Sequence, residues 1–237
     1  MNKKLITSII TLSIITVPFN VFAKTKEESI YSTLNKEGTR KETVVTSHLS
    51  NLEKTTIEDT TELKKILNIN GKETFTLNNK NLTWKSVGKD IFYQGKFEKE
   101  LPIETNIKYY LDEKEINNKD LIGASGKVKI ELTLKNKDAH EIDGETLYTP
   151  FVVTLGTMLD KNSSNIKISN GKVISSGNKF ILVGLATPGL YESTNLDYFR
   201  EMNKITITFN TKKYKQPTIY TVATPKLIEE DDLEVLN

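Results

Sequence analysis

The sequence predicts a mainly β protein, in which a small α+β module (24–98) precedes an antiparallel β-sandwich-like module (99–226). Many short segments alternate apolar and polar residues, which is the two-residue period of side chains on a half-buried strand. Others are short apolar runs rich in branched residues, which favour strands. Helix signals are few, and Pro102 is the only marker near the boundary between the modules.

Two hairpins and one helix are expected in the first module. Residues 29–35 and 40–49 form a strand pair around Gly38, and 73–77 and 82–85 form another around Asn78 and Asn79, two residues suited to turns. A further strand is expected at the end of the module, over 90–97.

The helix is predicted to begin at Asp59, because an N-cap residue there is followed three positions later by Glu62. Leu63, Ile66 and Leu67 follow at helical spacing, and the helix is expected to end near Gly71.

The second module is predicted to contain five strands. Residues 103–111, 127–135 and 204–209 alternate apolar and polar side chains, whereas 150–157 and 179–186 are continuous apolar runs. We expect the two apolar runs near the middle of the sandwich. Two further features are expected outside these strands: a single helical turn over 117–123, and an acidic tail at 227–237.

Residues 1–23 have the three parts of a secretory signal peptide. Two lysines precede an apolar run over 5–17, and Val21 and Ala23 place small residues before the cleavage site. An uncleaved membrane anchor is the alternative, but a spanning helix needs about 20 apolar residues. Because this run is shorter and is followed by Pro18, we expect cleavage after Ala23 and no membrane span in the mature chain.

The composition excludes several classes of function. The chain has no cysteine, so it has neither disulfides nor thiolate metal sites nor a lipoprotein cysteine. It has 33 basic and 31 acidic residues, and removing residues 1–23 takes away two of the lysines. The resulting balance gives no electrostatic reason to expect binding to nucleic acid or to anionic lipid.

An acidic segment between two predicted strands contains Asp112, Glu113, Glu115 and Asp120. Carboxylates at such density suggest calcium, but the spacing fails the EF-hand pattern at several positions. An irregular calcium site remains an alternative. We favour a polar turn that leads into a short helix capped by Asn117 or Asn118.

Two glycines flank the next candidate residue, Ser125. Gly123 and Gly126 are expected to reverse the chain there. The order G-A-S-G-K before a strand is not a nucleophile elbow, which joins a strand to a helix. A serine enzyme also needs a base, and His48 and His140 are the only histidines.

Two other segments are candidate sites. His140, Glu141 and Asp143 could ligate zinc, but a solvated loop is the better interpretation, because two histidines are few for such a site. Residues 186–194, with Tyr198 and Phe199, are either a contact surface or a loop with an apolar plug. We assign no catalytic, cofactor-binding or metal-ligating residue from the sequence.

Several stretches together resemble the N-terminal extracellular region of uncharacterised exported Gram-positive bacterial membrane proteins, and more loosely YhgE/Pip-like proteins. They are the first hairpin (29–51), the segment 66–136 with YYLDEKEINNKDLIGASGKVKIEL, and residues 202–211 and 218–237. These motifs are turns and strands, so the resemblance implies no active site. It implies that members of the group continue beyond the acidic segment into a helical region and a membrane helix.

The expected function is that of a non-catalytic module, secreted or on the extracellular face of the cell envelope, which contacts a protein or a wall polymer. The alternative is a secreted carboxylate-dependent hydrolase that acts on cell-wall glycan or peptide. An enzyme of that kind should have a concave pocket with converging ionisable groups of shifted pKa. A binding module should instead present flat or ridged surfaces.

Overall fold

The computed structural model describes residues 25–50, 52, 56–85 and 88–225, together with the backbone of Ile9–Thr16. The protein is mainly β, with 63% strand, 6% helix and antiparallel sheets. It divides into a larger compact unit (Met1–Thr11, Thr33–Lys41 and Leu101–Asn237) and a smaller one (Leu12–Ser32 and Glu42–Glu100). None of the described helices has the length and apolar character needed to cross a membrane.

Part of the predicted signal peptide and the whole acidic tail lie outside the described residues. Within residues 1–23, the structure describes only the backbone of strand β1, Ile9–Thr16. Cleavage after Ala23 therefore stays a prediction.

The smaller unit is built from strands. After β1, the strands up to residue 100 are β2 (Thr25–Leu34), β3 (Arg40–Ser50), β4 (Thr56–Thr60), β5 (Lys64–Asn70), β6 (Phe75–Asn78), β7 (Asn81–Lys85) and β8 (Ile91–Lys96). β8 pairs with β3 on one side and β5 on the other, and β7 lies between β4 and β6. Trp84 and Tyr93 are fully buried, with ring centroids 5.5 Å apart.

The predicted helix from Asp59 to Gly71 is wrong, because this segment forms the end of β4 and the whole of β5. The Asp59 carboxylate does not cap a helix; it accepts a hydrogen bond from the Tyr93 hydroxyl, 2.6 Å away. Leu63 is buried, whereas Leu67 is 64% exposed. The described residues of the smaller unit contain no helix, so they do not support an α+β first module.

The larger unit contains the remaining elements. They are β9 (Ile103–Leu111), β10 (Lys114–Ile116), α1 (Asn118–Leu121), β11 (Gly126–Asn136), β12 (Ala139–Ile142), β13 (Glu145–Tyr148), β14 (Val152–Asp160), β15 (Ser163–Ile168), β16 (Gly171–Ser176), β17 (Lys179–Ala186), α2 (Leu190–Thr194), a 3-10 turn (Asp197–Phe199), β18 (Lys204–Thr211) and β19 (Ile219–Thr224).

Two sheets of the larger unit pack face to face, which confirms the predicted sandwich. Sheet I has the order β10-β9-β11-β18-β15, and sheet II contains β16-β17-β14-β19. Alternate residues of both sheets share one core, represented by Ile130 and Leu132 of β11, Leu155 of β14 and Leu182 of β17. Burial of their apolar side chains on one face of each strand is the main stabilising contribution.

The hairpin of β2 and β3 ends in the larger unit. Its tip, residues 33–41, contacts β9: the Ile107 amide donates to the Glu37 carbonyl at 2.9 Å, and the Tyr109 hydroxyl donates to the Lys36 carbonyl at 2.8 Å. Gly38 has a positive φ of 94°, and a Cβ there would collide with the Thr105 carbonyl. The tip therefore requires glycine for both conformation and space.

The predicted strands of the second module are confirmed, with one difference in burial. β14 and β17 lie inside sheet II, as expected for the apolar runs 150–157 and 179–186. Each buries only one face, however. Val153 and Leu155 of β14 are buried, whereas Met158 is 51% exposed on the other face.

Candidate binding site

The acidic segment 112–120 forms a turn, a short strand and one helical turn, as favoured from the sequence. Asp112 and Glu113 have positive φ values and connect β9 to β10 as a two-residue hairpin turn. The Asp112 carboxylate accepts from the Lys127 amide at 2.9 Å, and Glu113 pairs with the Lys127 side chain at 2.6 Å. These carboxylates thus contact the start of β11 instead of converging on a common point.

The helical turn predicted over 117–123 is α1, Asn118–Leu121. Asn117 occupies its N-cap position without a side-chain capping hydrogen bond. The side-chain amide of Asn118 is buried and donates to Gln216.

Ser125 is bonded to the backbone. Its hydroxyl donates to the Thr211 carbonyl at 3.3 Å, next to the first residues of β11. In the smaller unit, His48 is stacked on Phe92 and lies 2.8 Å from an Asp90 carboxylate oxygen. The structure therefore gives each of these side chains a local partner of its own.

His140 lies on a hairpin, so the prediction of a solvated loop over this segment is wrong in its conformation. Strands β12 and β13 pair across the turn Asp143-Gly144. Both turn residues have positive φ, which is the geometry of a type I′ turn. The imidazole of His140 contacts the Thr149 hydroxyl at 3.2 Å, and Glu141 accepts from Thr146. Among the described residues, no group of three potential ligands is arranged to hold a metal ion.

The segment 186–194 is a buried turn followed by a helix. Pro188 and Gly189 are buried, and α2 begins directly after them. Leu190 and Tyr191, which the sequence presents as exposed, are half-buried. Tyr198, which lies in the 3-10 turn after this segment, is 79% exposed.

An ion-pair cluster that the sequence did not predict lies in the smaller unit. Lys26 donates to Asp59 at 3.2 Å and pairs with Glu28 at 3.1 Å. Asp59 accepts from Tyr93, and Glu28 accepts from Ser47 at 2.9 Å. Lys26 and Glu28 also line a cavity of about 400 Å³. The Asp59 side chain is only 6% exposed.

In this cluster the pKa values of Lys26 and Tyr93 are raised, further above neutral pH. Burial alone would lower the pKa of Lys26, but the nearby Tyr93, Asp59 and Glu28 raise it above its ordinary value. Burial and the charge of Asp59 raise the pKa of Tyr93 to about 12. Because Lys26 and Glu28 lie on β2, Asp59 on β4 and Tyr93 on β8, the contacts of the cluster join three strands.

The outward face of sheet II is apolar along three cross-strand rows. The register aligns Ile174, Ile181 and Met158 in one row. The second row is Lys172, Val183, Gly156 and Tyr220. The third row is Leu185, Thr154 and Val222.

The apolar side chains of these rows are exposed or half-buried. The exposed ones are Ile174, Met158, Tyr220 and Val222, and the half-buried ones are Ile181, Val183 and Leu185. We call these outward residues of β14, β16, β17 and β19 the apolar face.

Gly156 makes a hollow in the middle of the apolar face. A Cβ built at this position would meet nothing within 4 Å. Val183 of β17 and Tyr220 of β19 are its direct neighbours across the sheet.

A pocket of about 490 Å³ opens at one end of the sandwich. β14 pairs with β19 only as far as Thr157, opposite Ile219, but with β17 as far as Asp160. The loop 212–218 borders the remaining residues of β14. We call this opening the end pocket; the lining residues used below are Gly156, Met158, Asp160, Lys179, Ile181, Lys213, Lys215 and Tyr220.

Sequence reasoning missed both surfaces for identifiable reasons. The outward exposure of Met158 is hidden in an apolar run, and β16 and β19 were not predicted as strands. Lys213 and Lys215 were visible in the sequence as part of a basic run, but only the fold places them beside β14.

Comparisons with known proteins add no relative. A scan against protein-family models found no match, and a search of curated proteins found none.

Proposed function

We propose that the chain is a non-catalytic β-rich module, exported to the cell envelope or secreted, that contacts a protein partner through the apolar face. The observation that carries the proposal is this face. Soluble proteins rarely expose large contiguous apolar patches unless they bind something. Here the patch extends across four strands and contains a hollow at Gly156.

The composition of the face favours a protein over a wall glycan. Isoleucine, valine and methionine offer apolar contact without hydrogen-bond donors or acceptors. The core of a protein–protein interface is poor in charge and rich in aromatic residues and methionine. Met158 and Tyr220 provide residues of these two kinds on the apolar face. Lys172 stands at the edge strand, in the position of a polar rim.

Export is supported by the sequence of residues 1–23 and by the resemblance to exported Gram-positive proteins. A signal peptide directs the chain out of the cytoplasm. The absence of cysteine from the sequence leaves the fold independent of the redox state outside the cell.

The alternative of a carboxylate-dependent hydrolase receives less support. Such an enzyme needs a carboxylic acid whose pKa is raised so that it can donate a proton. Hydrogen bonds shift the pKa values of five described glutamates in the opposite direction, downward; these are Glu42, Glu62, Glu73, Glu98 and Glu113. The largest shift is that of Glu62. Hydrogen bonds from Lys80 and Lys99 lower its pKa to about 2.

The test is capture from envelope extracts with the purified protein as bait, followed by direct binding with the purified partner. The double variant Ile174→Lys, Val222→Lys places two charges on the apolar face outside the end pocket. We expect it to weaken binding by about tenfold or more, since each buried charge would lack a partner.

Ile142→Lys is the matched control, because Ile142 is an exposed isoleucine of the same unit that lies on the β12–β13 hairpin. It should bind the partner as the wild type does. An alternative result is that the wild type, the double variant and Ile142→Lys all bind purified sacculi equally while no protein is enriched. That result would show that the partner is a wall polymer and not a protein. Failure to enrich any component would count against a binding module.

A further inference from the structure

We infer that the end pocket binds a small organic anion with an apolar chain, its anionic group lying among Lys213, Lys215 and Lys179 and its chain on Met158 and Tyr220. This inference does not rest on the proposed protein partner. The pocket shares part of its lining with the apolar face, but its lysines lie outside that face.

The walls of the end pocket are held in place by the fold. On one side, β14 is paired with β17 up to Asp160, opposite Lys179. On the other, the Thr157 hydroxyl donates to the Thr218 carbonyl at 2.7 Å and fixes the loop 212–218 against β14. A site whose walls are already in position loses little entropy when a ligand enters.

The lining has the composition of a small-molecule site. Such sites have volumes of roughly 300–1,000 Å³ and are mostly apolar, with a few polar groups that fix orientation. The end pocket has a volume of about 490 Å³. Met158, Ile181 and Tyr220 provide apolar surface, and Gly156 leaves open space beside them.

The charge of the lining selects an anion. Asp160 lies between two lysines, with its oxygens 4.0 Å from the Lys179 amine and 3.5 Å from the Lys215 amine. No ion pair involves Lys213 among the residues that the structure describes. Three lysines against one carboxylate leave an excess of positive charge at the mouth, and loose, exposed pairs of this kind can rearrange at little cost.

The probes for the test share one apolar chain and differ in charge. Octanoate and octyl phosphate carry an anionic group, octanol is neutral, and octylammonium is cationic. Titration of the protein by calorimetry and by amide chemical shifts should show saturable binding of an anionic probe. We expect its affinity to be about tenfold higher than that of octanol, because each exposed lysine contributes up to about 1 kcal/mol.

The variant Lys213→Gln, Lys215→Gln should remove the preference for the anion and keep the thermal midpoint of the wild type. Lys167→Gln is its control: Lys167 is an exposed lysine of the same unit on β15, outside the pocket. The face variant Ile174→Lys, Val222→Lys should still bind the anionic probe, so that failure of the two proposals can be told apart.

Three outcomes would overturn the inference. They are equal affinity for octanoate, octyl phosphate and octanol; unchanged anion binding in Lys213→Gln, Lys215→Gln; and binding to phosphatidylglycerol vesicles without binding of either free anionic probe. If the protein binds both the vesicles and a free anionic probe, and both interactions require Lys213 and Lys215, the inferred anion site is supported. A lipid is then one source of the anionic ligand.

Discussion

Asp59 organises the ion-pair cluster of the smaller unit from an almost fully buried position. Its two carboxylate oxygens contact Lys26 and Tyr93 separately, at 3.2 and 2.6 Å. Both partners are more than thirty residues away in sequence. No local pattern shows such contacts, so the same residue looked like a helix N-cap in the sequence.

Replacing this carboxylate is expected to destabilise the protein. Asp59→Ala should lower the free energy of unfolding by about 3 kcal/mol, because it leaves the Tyr93 hydroxyl and the Lys26 ammonium without their buried acceptor. Urea denaturation followed by tryptophan fluorescence measures this, since Trp84 lies beside Tyr93.

Glu58→Ala is the control for Asp59→Ala. Glu58 is the neighbouring acid on β4, and its exposed carboxylate accepts from Thr83. Its removal should change the free energy of unfolding by less than about 1 kcal/mol. Equal losses in the two variants would show that burial of the cluster does not determine its contribution.

Strands could be predicted from the sequence where buried apolar side chains alternate strictly with exposed polar ones. β9, β11 and β18 have this pattern, and their predicted ranges agree closely with the structure. The segment 59–71 misled the prediction, because Leu63 and Ile66 have helical spacing although both lie among strands. Pairing with β8, which no local propensity encodes, decided its conformation.

Some missed elements had local signals, and others had none. The β12–β13 hairpin has Asp143-Gly144 at its turn, a strong hairpin signal that could have identified it. Strand β16 is exposed along its whole length, so it has no burial pattern to detect. The apolar face depends on β16 and β19, and the end pocket depends on β19 and the loop 212–218, so neither could be placed from the sequence.

The tip of the β2–β3 hairpin provides a test at the level of an element. Gly38→Ala should destabilise the protein by about 2 kcal/mol or more, because alanine resists a positive φ and its methyl group would collide with the Thr105 carbonyl. Thermal and urea unfolding monitored by circular dichroism would measure the loss.

Gly156→Ala is the corresponding control in a strand. Its added methyl group would enter open space, and alanine in place of glycine restricts the unfolded chain. The variant should be as stable as the wild type or slightly more stable. A small effect of Gly38→Ala would mean that the tip does not need its close approach to β9.

The whole molecule is expected to lose stability at alkaline pH. Burial raises the pKa of Tyr93 in the smaller unit and of Tyr109 in the larger unit to about 12, above the value of about 10 for an unfolded tyrosine. A group with a raised folded pKa contributes stability that is complete below its unfolded pKa and is lost as the pH rises through the folded value. The free energy of unfolding should therefore fall between about pH 10 and 12.

Tyrosinate absorbance and circular dichroism, recorded together against pH, test this expectation. Tyr198→Phe removes an exposed hydroxyl and should leave the alkaline transition where it is. If the described buried tyrosines ionised near pH 10 while the strand signal remained unchanged, the expectation would be wrong.

The proposed export predicts a defined N-terminus. Expression of chain 1–237 in a Gram-positive host should release or expose a protein that begins at Lys24, as shown by intact mass and N-terminal sequencing. Replacing Ala23 with a bulky residue should block processing. A protein that keeps residues 1–23 in the wild type would favour the anchored alternative.

Strand β16 has one further consequence for the behaviour of the protein in concentrated solution. It is the last strand on its side of sheet II, lies exposed throughout, and carries Val173 and Ile174 with Lys172 as its one charged residue. Its outer backbone groups can template a strand from a neighbouring chain. Slow fibril growth at high protein concentration should start from strand β16, and a second lysine placed on this strand should delay the onset of growth.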